Sequence, residues 1–456
     1  MPNGVQSRVL AIWLAVWLIA AGLPGATGAA RGESASATPA GKQLAWALST
    51  VNGSPAALTE GELRDHVAAD FLTVLTVPQL LAVFRSYLAP VAPMTLARVA
   101  GRWSGLEVRA VMTTPRGDWR VRLGVDASDR HLINDLFFEP VPQPVAGKAP
   151  ARWKALTAQL ATVAPQVSFT AAEVTDGTCR PVASLHRETE LAIGSSFKLY
   201  VLGELARHVA AGEANWDEPL PIRNDLRSQP SGDLRLETAG ARFSLAYFAE
   251  QMISQSDNTA TDHLITRLGR TNVEAMFAAM GHAHPGRNVP LLLTREWFAL
   301  KLRYSLKAID AFVRGSQAEK RAFLTGDVDP VANTLTDAED WPGPYLIDTI
   351  EWFASSGDLC RAMAHLHGQS GEAGLAEVQG ALALNPGLVF DAKAWRYVGY
   401  KGGYETGVKS DSWLLERADG RWFEVSAIIN DPKKEINGGA LWTLMRAAVD
   451  RLAVRR

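Results

Sequence analysis

The sequence predicts a mixed α/β (α+β) protein: an antiparallel sheet flanked by helices, with a helical lobe inserted into it, preceded by a small α+β domain. Three observations carry this expectation. Apolar residues alternate with period two in two separate places, over 94–140 and at both ends of the stretch 151–456. Between those ends, from about 191 to 370, the periodicity is helical. A stiff proline-rich stretch, PVPQPVAGKAP at 140–150, separates the two blocks. With 456 residues, the chain is long enough for two or three domains with cores of their own.

The elements follow in order. Residues 1–30 carry one charge, Arg8, then an apolar run from Val9 to Ala21 and the small residues GATGAA before Arg31. That is the layout of a secretory signal peptide, and it predicts an exported protein, periplasmic or secreted. The alternative is an uncleaved membrane anchor, but Gly22, Pro24 and Gly25 interrupt the run. Residues 31–45, rich in Gly, Ala and Ser, read as a disordered leader. A small α+β domain is expected over 45–140. Thr59 and Glu62 form a capping-box signature ahead of one helix, and Pro78 opens another. Four strand-like runs follow, MTLARVAG, GLEVRAVMTT, WRVRLGVD and RHLINDLFFEP. The linker is 141–150. The last domain, 151–456, begins with a helix near ARWKALTAQLATV and a hairpin, QVSFTAAEVTDG with RPVASLHRE. The helical lobe comes next. Three strands, WRYVGYKG, VKSDSWLLE and WFEVSAIIND, and a closing helix from Gly439 complete it.

The formal net charge of −2 gives no basic surplus for nucleic acid. Cys179 and Cys360, the only cysteines, are consistent with one disulfide or with two buried thiols. His282-x-His284 and His365-x-His367 lack a third ligand at metal spacing, so no metal and no cofactor is expected. Trp103, Trp119, Trp297 and Trp352 read as core or cleft walls, and DPKKE at 431–435 as a solvated turn.

The candidate chemistry starts in LAIGSSFKLYVLGEL, 191–205, where Lys198 interrupts an apolar helix three residues after Ser195. On a helix the two share a face. A partly desolvated lysine loses basicity until it can accept a proton near neutral pH, which turns a nearby serine into a nucleophile. The helix start supplies backbone N–H groups for developing negative charge. Two further stretches add to this: Ser256-Asp257-Asn258 in ISQSDNTATDHLI, and Lys401-Gly402-Gly403 in VGYKGGYETGV.

Ser-x-x-Lys, Ser-Asp-Asn and Lys-x-Gly in this order resemble the serine β-lactamase and penicillin-binding superfamily, in its class A-like branch, over about residues 151–456. The whole-chain layout is similar to that of the clavulanic-acid-cluster serine hydrolases and their exported actinobacterial relatives. The resemblance implies a serine hydrolase acting on a small-molecule substrate: a β-lactam, an ester or a short peptide. Ser195 would attack the carbonyl, Lys198 take its proton, and Ser256 relay a proton to the leaving group. Asn258 would bind the substrate amide or Lys198, and Lys401 would supply positive potential. The N–H groups of Ser195 and Tyr404, next to Gly403, would form the oxyanion hole. The alternatives are a penicillin-recognising D,D-peptidase and a non-hydrolytic β-lactam sensor. The oligomeric state is not set by these features.

Two departures from the family pattern matter. Gly402 lacks the usual hydroxyl, for which Thr406 and Ser410 are candidate substitutes. The Glu-x-x-x-Asn pair that activates the deacylating water in class A enzymes is missing from GHAHPGRNVPLLLTREWFALKLR; Glu296 is the nearest carboxylate. Slow deacylation is therefore expected.

Overall fold

The computed structural model describes residues 38–99, 105–115, 117–140, 152–332, 343–388 and 390–454. The expected signal peptide, the linker at 141–150 and Trp103 lie outside the described residues. The chain divides into two compact units, residues 1–143 with 236–238 and residues 144–235 with 239–456.

In the first unit, helix α1 spans Pro39–Asn52, capped by the Thr38 side chain, which accepts from Gly41 N at 3.1 Å. It thus begins inside the stretch read as a disordered leader. The reading rested on small-residue composition, but Ala40, Leu44, Ala47 and Val51 form an apolar stripe that the core buries. Helices α2 (Glu60–His66), α3 (Ala69–Val74) and α4 (Val77–Ala82) follow. The Thr59–Glu62 capping box forms: Thr59 Oγ1 accepts from Glu62 N at 3.2 Å, and Glu62 Oε2 from Thr59 N at 2.9 Å. Strands β1 (Thr95–Val99), β2 (Glu107–Thr114), β3 (Gly117–Val125) and β4 (Ile133–Pro140) make an antiparallel meander in that order. Val108, Ala110, Met112, Val121 and Leu123 alternate onto one face and join Leu63 and Phe84 in the core.

The second unit is built on a five-stranded antiparallel sheet of order β11-β12-β13-β5-β6. Helix α5 is Trp153–Leu160, β5 Gln166–Thr175 and β6 Thr178–Leu185. A two-residue strand β7, Leu191–Ala192, leads into a tight 3₁₀ turn, Gly194–Phe197, and helix α6, Lys198–Ala210. The lobe follows: the short pair β8 (Pro219–Pro221) and β9 (Arg242–Ser244), then α7 (Leu245–Ser254), α8 (Asn258–Leu268), α9 (Arg270–Ala279), α10 (Thr294–Arg303), α11 (Leu306–Arg314), α12 (Gln317–Phe323) and α13 (Asp329–Ala332). Strand β10, Phe353–Ala354, pairs with β7, and helices α14 (Ser356–Ser370) and α15 (Ala376–Ala383) return the chain to the sheet. Strands β11 (Trp395–Glu405), β12 (Val408–Arg417) and β13 (Trp422–Asn430) and helix α16 (Gly438–Ala453) close it. The sheet therefore joins the two ends of the unit, because β13 pairs with β5.

Alternation along the strands feeds two cores. Leu414 and Ile428 face the lobe with Leu199, Phe248 and Leu359, whereas Trp413, Leu415 and Val425 face α5 and α16 through Leu156 and Met445. Cys179 on β6 and Cys360 on α14 are bonded, closing a loop with a sequence separation of 181 residues and deciding between the two readings of the cysteines. Trp119, Trp297 and Trp352 are buried, as core or cleft walls should be. The 431–435 stretch is a turn in which Asp431 Oδ1 accepts from Lys433 N and Lys434 N. Among the described residues no helix is long and apolar enough to cross a membrane.

Candidate active site

The site forms where the edge strand β11 meets the turn that opens α6. Gly194 sits in the left-handed region at φ 47°, and a Cβ there would stand 3.2 Å from Tyr404 N. At Gly403 a Cβ would lie 1.9 Å from Ile193 O and 2.8 Å from Ser195 N. Glycine at both positions lets the two backbones close on each other. The approach brings the Ser195 N–H beside Gly403–Tyr404, where the oxyanion hole was expected. Ser195 itself is partly exposed on the 3₁₀ turn, in which residues three apart eclipse, so Lys198 follows it on the same face.

Lys198 is fully buried. Its Nζ donates to Ser256 O at 2.6 Å and Asn258 Oδ1 at 2.7 Å, and lies 3.3 Å from Ser256 Oγ. Among the described residues no carboxylate bonds to it. Desolvation pulls its pKa down to about 7, opposed by the more distant charges of Asp257 and Asp262. In the neutral amine two N–H bonds serve the carbonyl and the amide oxygen, and the lone pair is left for a hydroxyl proton. Lys401 is also buried; its Nζ donates to Ser256 Oγ at 3.0 Å and to Gly402 O at 2.6 Å. Burial first, then the charges of Lys198 and Lys409, push its pKa well below the usual lysine range.

Ser256 thus lies between two amines. It takes a left-handed φ of 56°, an uncommon conformation for a residue with a side chain, at a strain of about 1–2 kcal/mol. The next residue holds it there: Asp257 N donates to Gln251 O at 3.1 Å, and the Asp257 carboxylate caps α8 at Ala260 N and takes Leu234 N at 2.9 Å. Asn258 is oriented by its own amide, Nδ2 donating to Gln229 O at 2.7 Å. Gln229 carried no signal in the sequence.

The candidate substitutes for the missing hydroxyl do not converge on this point. Ser410 faces inward, its Oγ donating to Ile193 O at 2.6 Å and lying 2.7 Å from Ser196 Oγ. Thr406 lies in the turn between β11 and β12. A Cβ at Gly402 would lie 2.2 Å from the Tyr400 hydroxyl, which donates to Asp411 Oδ1 at 2.6 Å, so the phenol occupies that space.

Glu296 is fully buried, its Oε2 accepting from Leu293 N, at the N-cap of α10, at 2.8 Å. Arg270 grips both oxygens, Nη2 to Oε1 at 2.6 Å and Nη1 to Oε2 at 3.0 Å. Two lone pairs committed to a guanidinium leave it ill-suited to activating water. The 282/284 pair is accounted for locally: His282 Nε2 meets Phe353 O at 2.8 Å, and His284 N donates to His282 Nδ1 at 3.1 Å. Although Glu190, His282 and Asp358 cluster, both Asp358 oxygens are already bonded, to Ala283 N and Arg361 and to Ser355.

An antiparallel sheet with an inserted helical lobe and a lysine-flanked serine cluster defines a β-lactamase-like fold. Residues 151–297 match the β-lactamase enzyme family. Together with the three motifs, that match supports the likeness of the second unit to the serine β-lactamase and penicillin-binding superfamily. Residues 35–130 match a separate family, described as ORF 12 gene product N-terminal. No curated protein matches the chain. Similar solved structures include a β-lactamase from Sphaerobacter thermophilus, 19% identical with a TM-score of 0.47, covering 67% of this chain and 99% of that one. Another is a β-lactamase from Desulfarculus baarsii, 14% identical with a TM-score of 0.45, covering 67% of this chain and all of its own. A third is PBP-A in an acyl-enzyme complex with penicillin G, 14% identical with a TM-score of 0.42, covering 65% and 92%.

Proposed function

We propose that the protein is an exported serine hydrolase that is acylated at Ser195 by β-lactam, ester or amide substrates and deacylates slowly. The observation that supports this best is the convergence of Lys198, Lys401 and Asn258 around Ser256, beside the turn bearing Ser195. Lys198, neutral in a large fraction of molecules near pH 7, takes the Ser195 hydroxyl proton as Oγ bonds to the carbonyl carbon. The oxyanion forms toward the N–H groups of Ser195 and Tyr404. Each such donor contributes about 2.7–4 kcal/mol in enzymes where it has been removed. The proton passes from Lys198 through Ser256 Oγ to the leaving nitrogen or oxygen as the C–N or C–O bond breaks, leaving an acyl-serine. Lys401 contributes positive potential at Ser256 and for a substrate carboxylate.

Hydrolysis of the acyl-serine needs a base that holds water. Glu296 is engaged with Arg270, so Lys198 serves a second time, less well placed. The functional consequence is a burst: one fast equivalent, then a slow steady state, with esters acylating Ser195 faster than amides because an alkoxide leaves without full protonation. A penicillin-binding or sensor role would differ only in the lifetime of the adduct. Intact-mass spectrometry of the protein with a penicillin, followed in time, tests the reading. An adduct of one acyl group on Ser195, decaying over minutes or longer, is expected; no adduct with either a penicillin or a fluorophosphonate sinks it. Export is tested by N-terminal sequencing of the secreted chain, expected to begin between Ala29 and Gly32; a mature chain retaining Trp13 would mean an anchor.

A further inference from the structure

Away from the serine cluster, the second unit buries a third lysine. Lys301, on α10, is 3% exposed, Glu351 5% and Glu405 7%. Lys301 Nζ donates to Glu405 at 2.8 Å and 2.9 Å and to Glu351 Oε1 at 3.3 Å, and it lies 4.1 Å from the Trp297 ring centroid. Glu351 is held in turn: Oε1 accepts from Trp297 Nε1 at 2.9 Å, and Oε2 from Trp352 N at 3.1 Å. Burial and the neighbouring Glu351 charge push the Glu405 pKa up to about 10, which favours the neutral carboxylic acid at neutral pH.

Each carboxyl group is tied to one half of the oxyanion hole. Glu351 precedes Trp352, whose carbonyl accepts from Ile193 N at 2.9 Å and whose ring stacks on Phe197 at 4.0 Å. Those contacts bracket the Gly194–Ser195 turn. Glu405 follows Tyr404, the other N–H donor, on the strand whose Gly403 touches Ile193 and Ser195. Strand alternation puts Lys401, Gly403 and Glu405 on one face, so the lysine of the third motif and the buried acid belong to one row.

We infer that Lys301, Glu351 and Glu405 form a positioning clamp that sets the spacing of the Ser195 and Tyr404 N–H groups, and that Lys301 is the residue that closes it. The inference rests on the acyl-serine reading above. None of the three touches the reacting atoms; they act through the backbone on either side of them. A donor pair displaced by a fraction of an ångström loses its advantage for the transition state while substrate binding changes little, because the ground-state carbonyl is less demanding.

The test compares the full chain with Lys301→Met, Glu405→Gln and Glu405→Leu. Acylation by a chromogenic β-lactam is resolved into a half-saturation constant and a limiting rate, and the acyl carbonyl stretch is recorded by difference infrared spectroscopy. The clamp predicts that Lys301→Met and Glu405→Leu each lower the limiting rate by about 10–100-fold, within the range for loss of one oxyanion donor. The half-saturation constant should stay within about threefold, and the carbonyl band should move to higher frequency as its hydrogen bonds weaken. Glu405→Gln, which can accept from Lys301 and donate to Glu351 as the neutral acid does, should restore the rate and the band to near the parent. Variants that lose melting temperature but keep the parent's limiting rate and carbonyl band overturn the clamp and leave a structural ion cluster. A parent that forms no adduct with a β-lactam but labels with a fluorophosphonate overturns the β-lactam reading alone, and the clamp is then decided by the relative labelling rates of the same variants. A parent that labels with neither overturns both.

Discussion

Lys198 and Lys301 are both buried lysines of the second unit, yet Lys198 donates only to carbonyl, amide and hydroxyl oxygens while Lys301 is seated between two carboxyl groups. The difference separates two uses of the same side chain. Withdrawn from water with no counter-ion in contact, an ammonium is costly, and the amine gives up its proton near neutral pH. That suits Lys198 to the proposed role of base. Around Lys301 two carboxyl groups accept its hydrogen bonds, and the result is a cross-link between a helix, a loop and a strand end. A buried lysine is thus informative only together with what faces it.

The comparison can be broken in order of expected effect. Ser195→Ala should abolish covalent labelling by penicillins and fluorophosphonates, lowering acylation by at least about 10³-fold with the fold intact; labelling retained at another active-site serine would move the site. Lys198→Met should lower acylation by about 10²–10⁴-fold while leaving stability equal to or above the parent, because it removes a buried amine. The pH profile sharpens this. Only the neutral amine accepts a proton, so the parent's acylation rate should rise about tenfold per pH unit below about 7 and level off above it. Lys198→Met should lose that inflection; an inflection that persists there belongs to another group.

Lys301→Met tests the other half of the contrast. It leaves two buried carboxyl groups without their cation, and breaking a buried pair this way destabilises by about 3–5 kcal/mol at most, less because Glu405 favours the neutral acid. Denaturant unfolding measures it, and a variant as stable as the parent would mean that the cluster contributes no net cross-link. The smallest effect is expected at Glu296. Glu296→Gln should change the slow steady-state phase by less than about threefold, since its oxygens serve Arg270 and the α10 cap rather than water. A collapse of turnover with no burst would show that Glu296 activates the water after all.

Much of this architecture was legible in the chain. Period-two runs located every strand of both large sheets, because a pleated strand with one or two buried faces writes its burial directly into residue order. Three motifs pointed to Ser195, Lys198, Ser256, Asn258 and Lys401, and the last four are brought together by hydrogen bonds. The leader was misread at 39–45 because composition says little about a helix built largely of small residues. Ser410 was a reasonable hydroxyl donor by position, but its neighbours Ile193 and Ser196 lie more than two hundred residues earlier in the sequence.

The sequence by itself determined which residues are candidates for the chemistry and which stretches alternate, since those depend on residue identity and on neighbours two to four positions away. Only the tertiary structure decided the rest. The Cys179–Cys360 bond, the grip of Arg270 on Glu296, the phenol of Tyr400 in the space beside Gly402 and the meeting of Lys301, Glu351 and Glu405 each join residues whose side-chain directions are fixed by the packed elements that bear them. Local preferences are short-ranged. Whether a buried lysine meets carbonyls or carboxyl groups is settled by which distant segments the fold lays against it, and that choice here separates the proposed base from the proposed clamp.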